Sequence, residues 1–279
     1  MKKFISVLSV FVMAFMVLMP VNVFSASPVV SPRVTQPHTP DLRPSQPHMR
    51  GPQTVTGQVR SLNWAGYVVT APKSSVIDVK GSWTVPSLAC SRQTAYAAFW
   101  VGIDGFSDST VEQTGVLAEC YQSSAYYFTW YEFYPAYPVY VTSTVPVKAG
   151  DVVYGEVSCL SSTGSFIVTL TDKTTGATFS KTQSDSSALL SSAEWITEAP
   201  SSGGQILPLA MFGTVRYGYY YTRIASTGYA TANGVTGAIG SFSSAVQELV
   251  MITTNLIVKA QPSALTTDGT SFYVTWEHS

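Results

Sequence analysis

Histidine is scarce in this chain of 279 residues, and its placement restricts the chemistry further. The three histidines are His38, His48 and His278, so the long stretch between the last two contains none. A Ser-His-Asp triad needs a histidine beside its nucleophile, and most zinc sites draw on histidine or cysteine ligands. The sequence therefore argues against both kinds of site in the body of the chain.

Cysteines and glycine-rich motifs are also too few for several other sites. Cys90, Cys120 and Cys159 are widely spaced and form no recognisable metal-binding motif. They allow one disulfide in three alternative pairings, of which we favour Cys90 with Cys120 while the others stay open. Phosphate-binding loops and dinucleotide fingerprints are absent. We expect neither a metal nor a cofactor.

Charge is sparse, because only 11% of the residues are charged. From residue 54 onward the chain carries 10 Lys and Arg against 15 Asp and Glu, without a basic stripe. Nucleic-acid binding requires such a stripe, so we expect no nucleic-acid partner. A surface of hydroxyl and amide groups does not titrate in acid, which favours a protein that tolerates low pH.

The longest apolar run stands at the N-terminus and ends early. Lys2 and Lys3 precede the apolar residues Phe4 to Leu18, Pro20 interrupts the run, and small residues follow up to Ala26. This layout is typical of a secretory signal peptide. A membrane anchor is the alternative, but a spanning helix needs about 20 apolar residues. We predict a signal peptide at residues 1–25, secretion to the extracellular medium, and no membrane association afterwards.

Residues 26–53 form a proline-rich segment that is poor in large apolar side chains. Seven prolines, three arginines and a single acidic residue lie between residues 27 and 53. Such a composition favours extended chain. The segment is either a linker or a prosegment whose positive charge opposes the acidic body, and both interpretations stay open. Residues 54–279 are predicted to form one domain, which we expect to be monomeric.

Strand signals recur at short intervals along residues 54–279. Runs of β-branched and aromatic residues are bounded by Gly, Pro, Asn, Asp or Ser, and no long segment has helical periodicity. This pattern predicts an antiparallel sandwich or barrel. The predicted strands are 64–70, 76–84, 95–103, 124–134, 151–160, 165–172, 177–183, 193–197, 214–224, 247–259 and 271–276.

The paired Asp-Thr-Gly or Asp-Ser-Gly turns of aspartic peptidases are absent. The nearest match is Gln113-Thr114-Gly115, where a carboxamide replaces the carboxylate. This substitution suggests a site in which one carboxyl group acts as a base and one amide donates a hydrogen bond.

Several stretches together resemble the glutamic peptidases, or eqolisins, a family of acid endopeptidases. In order they read NWAGY, GSWTVP, FWVGIDG, QTG, WYEFYP, AEWI and a C-terminal pair, at residues 63–67, 81–86, 99–105, 113–115, 130–135, 193–196, 262–265 and 268–276. The resemblance covers nearly all of residues 54–279. It implies an all-β fold, an antiparallel two-sheet β-sandwich of the jelly-roll or concanavalin type.

The resemblance also implies the site residues. It assigns catalysis to Gln113 and Glu194 and places Trp100, Asp104 and Glu132 in or beside the cleft. Trp130, from the same motif as Glu132, is a further candidate for substrate contact or for core packing. The implied substrates are polypeptides and the implied working pH is acidic. The chain departs from the family pattern at Glu112, where an apolar residue usually precedes the glutamine.

Two carbohydrate-directed functions are the alternatives. A glycoside hydrolase on a similar sandwich could use Glu194 and Glu198. Residues four apart on a regular strand lie about 13 Å apart, whereas glycosidase carboxyls lie about 5 to 9.5 Å apart, so this pair would need a bulge. A carbohydrate-binding module would explain the many aromatic residues but not the motif at Gln113.

Overall fold

The structure is a computed structural model that describes residues 34–52, 58–161 and 164–279. The predicted signal peptide lies outside the described residues. The strands are β1 (Leu42–Arg43), β2 (Val59–Ser61), β3 (Trp64–Thr70), β4 (Val76–Thr84), β5 (Ala95–Ile103), β6 (Val111–Tyr121), β7 (Ser124–Tyr134), β8 (Val139–Tyr140), β9 (Val152–Ser161), β10 (Ser165–Asp172), β11 (Thr178–Ser184), β12 (Ser192–Glu198), β13 (Ser201–Ser202), β14 (Gln205–Ile206), β15 (Thr214–Tyr217), β16 (Tyr229–Ala232), β17 (Val235–Ala238), β18 (Val246–Ile252), β19 (Val258–Pro262) and β20 (Phe272–Trp276). Two short helices complete the elements, α1 (Tyr219–Thr222) and a 3-10 helix (Ile239–Ala245).

The strands build two sheets that pack face to face, which confirms the predicted β-sandwich. The first sheet has the order β8–β7–β6–β5–β12–β3–β18, and the second has the order β11–β10–β9–β4–β15–β20–β19. Hydrogen bonds between β18 and β19 join the sheets at one edge. Among the described strands of these sheets, only β2 runs parallel to its neighbour, β18.

The main core lies between the two sheets, and sequence alternation explains how β10 contributes to it. Phe166, Val168 and Leu170 are fully buried, whereas Ile167 and Thr169 between them are partly exposed. Successive side chains of a strand point to opposite faces, so one face of β10 packs on the first sheet and the other meets solvent. The sequence predicted this strand at residues 165–172.

The first sheet differs because its outer face is also buried. A second apolar cluster covers this face and includes Trp64, Trp100, Trp130 and Leu117, together with Leu42 from the N-terminal segment. Residues 34–52 therefore pack on the outer face of the first sheet instead of extending into solvent. The candidate site residues lie on this face.

Several predicted strand boundaries differ from the structure. The strand β6 was not predicted, although it carries Gln113. The run 214–224 ends as a strand at Tyr217 and continues into α1, and the run 247–259 is two strands joined by a turn. The hairpin of β16 and β17 was also missed, although its turn is the Asn233-Gly234 pair that favours such turns.

The favoured disulfide, Cys90 with Cys120, is present. It links the segment before β5 to the end of β6. Within the described ranges, we find no helix with the length and apolar character needed to span a bilayer.

Candidate active site

The register of the first sheet brings Gln113 and Glu194 to the same place. Gly102 on β5 pairs with Gln113 on one side and with Glu194 on the other. Directly opposite residues in antiparallel strands project from the same face. Both side chains therefore project from the outer face, separated by the strand that carries Gly102.

Gly102 lies between these two side chains at a position where close neighbours leave no room for a side chain. A Cβ atom at this position would lie 3.0 Å from the Gln113 Cβ atom and 3.0 Å from an edge carbon of Trp100. Any larger residue would press on Gln113 or Trp100. Close packing at this site therefore explains why the FWVGIDG motif has a glycine here.

Gln113 is oriented by the next strand. Its Nε2 atom donates a hydrogen bond of 3.1 Å to Oε2 of Glu132, which lies directly opposite on β7. The Oε1 atom of Gln113 is buried and makes no hydrogen bond to a described residue. One amide N–H is thus fixed, which leaves the second N–H and the oxygen for a ligand.

Glu194 is completely buried, and neither of its carboxylate oxygens has a hydrogen-bond partner among the described residues. Burial raises the pKa of this carboxyl group well above its usual value, and the nearby charges of Asp104, Asp108 and Glu112 raise it further. The Ser192 hydroxyl acts to lower the pKa but does not reach hydrogen-bond geometry with either oxygen. A buried carboxyl group without partners is costly for the fold. Glu112 shares this property, so the case for Glu194 depends on its position beside Gln113.

Glu132 is the second buried carboxyl group beside the amide. Burial raises its pKa to about 8, although Arg43 and Gln113 both act to lower it. The Arg43 guanidinium approaches Oε1 at 3.2 Å. Glu132 therefore holds the amide of Gln113 on one side and a cation of the N-terminal segment on the other.

Asp104 supports the site from a loop. Its carboxylate accepts hydrogen bonds of 2.7 Å from the backbone N–H groups of Leu190 and Ser191. These bonds fix the chain just before β12, the strand that carries Glu194. Burial, followed by the charge of Asp108, raises the pKa of Asp104 to about 6.

Trp100 and Trp130 are both fully buried on the outer face. The Trp100 Nε1 atom donates to Oε2 of Glu198 at 3.1 Å, and its ring meets Trp64 edge to face at 5.0 Å between centroids. The Trp130 Nε1 atom has no partner among the described residues. The two rings form the apolar floor next to Gln113 and Glu194.

The hydrogen bonds of Glu198 indicate a structural role. Besides Trp100, its carboxylate accepts from Asn63 Nδ2 at 3.0 Å and from the backbone N–H of Gln46 at 3.1 Å. The strand β12 pairs with both neighbours in unbroken register from Glu194 to Glu198. The bulge that a glycosidase pair would require is therefore absent from this strand.

The N-terminal segment 34–52 crosses the outer face and binds three of its glutamates. His38 donates its backbone N–H to Glu119, and its ring Nδ1 lies 2.8 Å from the same carboxylate. Arg43 contacts Glu132, and the backbone N–H of Gln46 contacts Glu198. The sequence interpretation missed Glu119 and Arg43. Glu119 follows Gln113 by six residues on β6 and so shares its face, a relation visible only once β6 is recognised.

No group of three or more His, Cys, Asp or Glu side chains in residues 34–52, 58–161 and 164–279 has an arrangement suited to a metal ion. The chemistry available at this face is that of carboxyl and carboxamide groups. A β-sandwich that presents these two groups across a glycine has the arrangement expected for a glutamic peptidase.

Comparison with known proteins agrees with this class. A family model described as the Peptidase A4 family matches residues 62–259. Aspergillopepsin-2 of Aspergillus niger is 33% identical over 187 residues, which make up 58% of this chain and 64% of that protein. The crystal structure of aspergilloglutamic peptidase from the same organism matches with a TM-score of 0.54 at 29% identity, covering 66% of this chain and 99% of that chain. Scytalido-glutamic peptidase, solved with a transition state analog inhibitor, shares the fold with a TM-score of 0.63 at 24% identity, covering 77% and 98%.

The chain belongs to the Peptidase A4 family, the glutamic peptidases or eqolisins, because the family match spans more than half of it. The resemblance of the sequence motifs to this family is thereby confirmed. The aligned stretch covers 64% of the length of Aspergillopepsin-2.

Proposed function

We propose that this protein is a secreted acid endopeptidase in which Glu194 is the general base and Gln113 stabilises the oxyanion. One observation carries the proposal. Gln113 and Glu194 face each other across Gly102, and both keep buried polar atoms without partners. Such atoms are rare in folded proteins unless a ligand or water satisfies them.

The proposed reaction uses one water molecule and no covalent intermediate. Ionised Glu194 takes a proton from the water as its oxygen attacks the scissile carbonyl carbon. The Gln113 amide donates a hydrogen bond to the carbonyl oxygen as negative charge develops there. The tetrahedral intermediate collapses when the C–N bond breaks, and Glu194 returns the proton to the leaving nitrogen. General-base catalysis contributes about 10²- to 10⁴-fold, and one oxyanion donor contributes about 10²- to 10³-fold.

Burial raises the pKa of Glu194 well above its usual value and so favours its neutral form, which means that the base must be activated. Loss of the cover over the outer face would admit water, reduce the desolvation that dominates its pKa, and let the carboxyl group ionise in weak acid. Glu194 must also return its proton to the leaving amine, so its protonated form must be populated at the working pH. This requirement favours an acidic working pH. Glu132 contributes by fixing the amide of Gln113 through its hydrogen bond.

The activity is tested with denatured protein as substrate between pH 2 and 7, in the presence of EDTA and a serine-peptidase inactivator. We expect hydrolysis that is confined to acid and unaffected by either reagent. Sugar release from polysaccharides, measured in parallel, tests the carbohydrate-directed alternative. Sugar release without peptide hydrolysis would overturn the proposal.

We further infer that residues 26–53 are a prosegment, so that the chain is a zymogen. The described part of this segment contacts Glu132 beside Gln113, Glu198 on β12, and the carbonyl of Gly105 through the His48 N–H at 2.8 Å. A polypeptide substrate would need to occupy the same face. A linker would have no reason to bind three carboxylates there.

Removing the segment should increase activity if it is inhibitory. A chain beginning at Thr54 should hydrolyse protein faster than one beginning at Ala26, with the largest difference above the pH at which the longer chain processes itself. Initial rates measured before processing give the comparison. Equal rates across this pH range would leave residues 26–53 as a linker.

Gly102→Ala tests the close packing beside the two side chains. The added methyl group would lie 3.0 Å from the Gln113 Cβ atom and 3.0 Å from the Trp100 ring, so at least one of these side chains must shift. A displacement near 1 Å can lower the rate by up to about 100-fold. We expect kcat to fall by at least about 10-fold. An unchanged kcat would show that the reaction does not depend on the exact placement of the side chains beside Gly102.

A further inference from the structure

The guanidinium of Arg43 occupies a site built by the end of β7 and the turn after it. Its Nη1 atom donates to the carbonyl oxygens of Pro135 at 3.0 Å and Ala136 at 2.5 Å. The same atom lies 3.2 Å from Oε1 of the buried Glu132. Three oxygens therefore converge on one end of the guanidinium group.

Two aromatic rings complete this site. The Arg43 Cζ atom lies 3.9 Å from the centre of the Tyr137 ring and 5.6 Å from the centre of the Tyr134 ring. A cation over an aromatic face within about 6 Å is attracted by the ring quadrupole. The rings and the oxygens together match the planar guanidinium, which stacks and donates several hydrogen bonds at once.

None of the groups that hold the guanidinium belongs to residues 34–52. The carboxylate, the carbonyls and both rings come from residues 132–137, so the site does not depend on the segment that now fills it. It adjoins the candidate catalytic pair, because Glu132 also accepts the hydrogen bond of the Gln113 amide. A side chain bound there would belong to a residue close to the scissile bond.

We propose that these residues, Glu132, Tyr134, Pro135, Ala136 and Tyr137, form a substrate subsite for a guanidinium side chain, and that Arg43 occupies it until residues 34–52 leave. The inference rests on the proposed peptidase function and on release of that segment. It predicts that the enzyme prefers polypeptides with arginine at one fixed position near the cleaved bond. The carbonyls and rings do not titrate, so the preference persists in acid. Lysine, whose ammonium is compact and strongly hydrated, should bind less well.

The test uses the full-length protein after incubation in acid and matched peptides. An arginine is moved through the positions around one cleavable bond, and each peptide is compared with versions that carry citrulline, lysine or methionine. Citrulline preserves the shape of arginine but removes its charge. We expect kcat/KM at one position to be highest for arginine and at least about 10-fold lower for citrulline, the ratio that 1.4 kcal/mol gives.

Tyr137→Ala isolates the site, because Tyr137 is 61% exposed and its loss should not disturb folding. We expect the arginine-to-citrulline ratio to fall by about 2- to 30-fold, the range that one cation–π contact supports, because the ring quadrupole attracts the charged side chain more than the neutral one. Tyr219→Ala, which removes a partly exposed tyrosine on α1, is the matched control and should leave the ratio intact.

The outcomes separate this inference from the proposed function. Cleavage of arginine and citrulline peptides at equal rates would overturn the subsite while leaving the peptidase activity in place. An arginine preference that Tyr137→Ala does not reduce would also overturn it. Failure to cleave any peptide would refute the proposed function and the subsite with it.

Discussion

Glu194→Gln should lower kcat for protein hydrolysis by about 10²- to 10⁴-fold while the fold is retained. The substitution preserves the size of the side chain but removes the group that accepts the proton of the attacking water. Folding should not suffer, because Glu194 is fully buried and makes no hydrogen bond to a described residue. Turnover of denatured protein in acid, with circular dichroism as a check on folding, measures the effect.

Glu112→Gln is a matched control for this variant. Glu112 is also a buried glutamate whose two oxygens lack partners among the described residues, but it pairs with Ile103 on β5 and so projects from the opposite face to Gln113. Glu112→Gln should therefore leave kcat within about 3-fold of the wild type, the usual scatter of context effects. Wild-type activity in Glu194→Gln, or an equal loss in both variants, would contradict the assignment of the base.

The second large effect concerns stability, which should be highest in acid and should fall as the pH rises. Burial raises the pKa values of Glu112, Glu194 and Glu198 well above the usual range, and that of Glu132 to about 8. Between the unfolded pKa, about 4.3, and these higher values, the folded chain binds more protons than the unfolded chain. Stability therefore decreases with pH in this window, by about 1.4 kcal/mol per pH unit for each group.

One group acts in the opposite direction. Burial lowers the pKa of His48 to about 4, so between pH 4 and its ordinary value the unfolded chain binds the extra proton, and stability from this group rises with pH. A single histidine opposes six carboxyl groups, because the pKa values of Asp78 and Asp104 are also raised, to about 6. The net slope should remain negative from about pH 5 to 8.

Urea unfolding at pH 4, 6 and 8 measures this slope, and Glu112→Gln identifies its origin. The variant should unfold like the wild type at pH 4 but resist more urea at pH 8, because the ionisation of one buried carboxyl group has been removed. The acidic side chains around Glu112, which are Asp104, Asp108 and Asp185, make its ionisation still less favourable. Stability that increases with pH from 5 to 8 would contradict this account.

The sequence predicted strands where β-branched, aromatic and other apolar residues run together, including β3, β5 and β12, which are buried on both faces. β10 alternates clearly and was located within its observed bounds. β6 was missed because Glu112, Gln113 and Glu119 interrupt its β-branched and apolar residues, although all of its residues except Tyr121 are buried. Its Gly115 also resembles a turn residue, yet a Cβ atom there would lie 2.4 Å from the carbonyl oxygen of Phe99. The glycine thus reflects close packing with β5 within the sheet.

The catalytic candidates came from motifs, whereas their surroundings required the structure. Gln113 and Glu194 stand 81 positions apart in the chain, and only the register through Gly102 places them together. The composition of residues 34–52 predicted extended chain without a core of its own. It could not predict that Leu42 would pack on the outer face of the first sheet. Nor could it predict that backbone N–H groups of this segment would donate hydrogen bonds to side chains on that face.

The most direct test of the catalytic pair is a double-mutant cycle on hydrolysis of denatured protein at acidic pH. It compares the wild type, Gln113→Ala, Glu194→Gln and the variant with both substitutions. If the amide and the carboxyl group act on one transition state, each single change should lower kcat/KM by about 10²-fold or more, and the double variant should lose much less than the product of the two losses. Full multiplication of the losses, or wild-type activity in either single variant, would contradict the account.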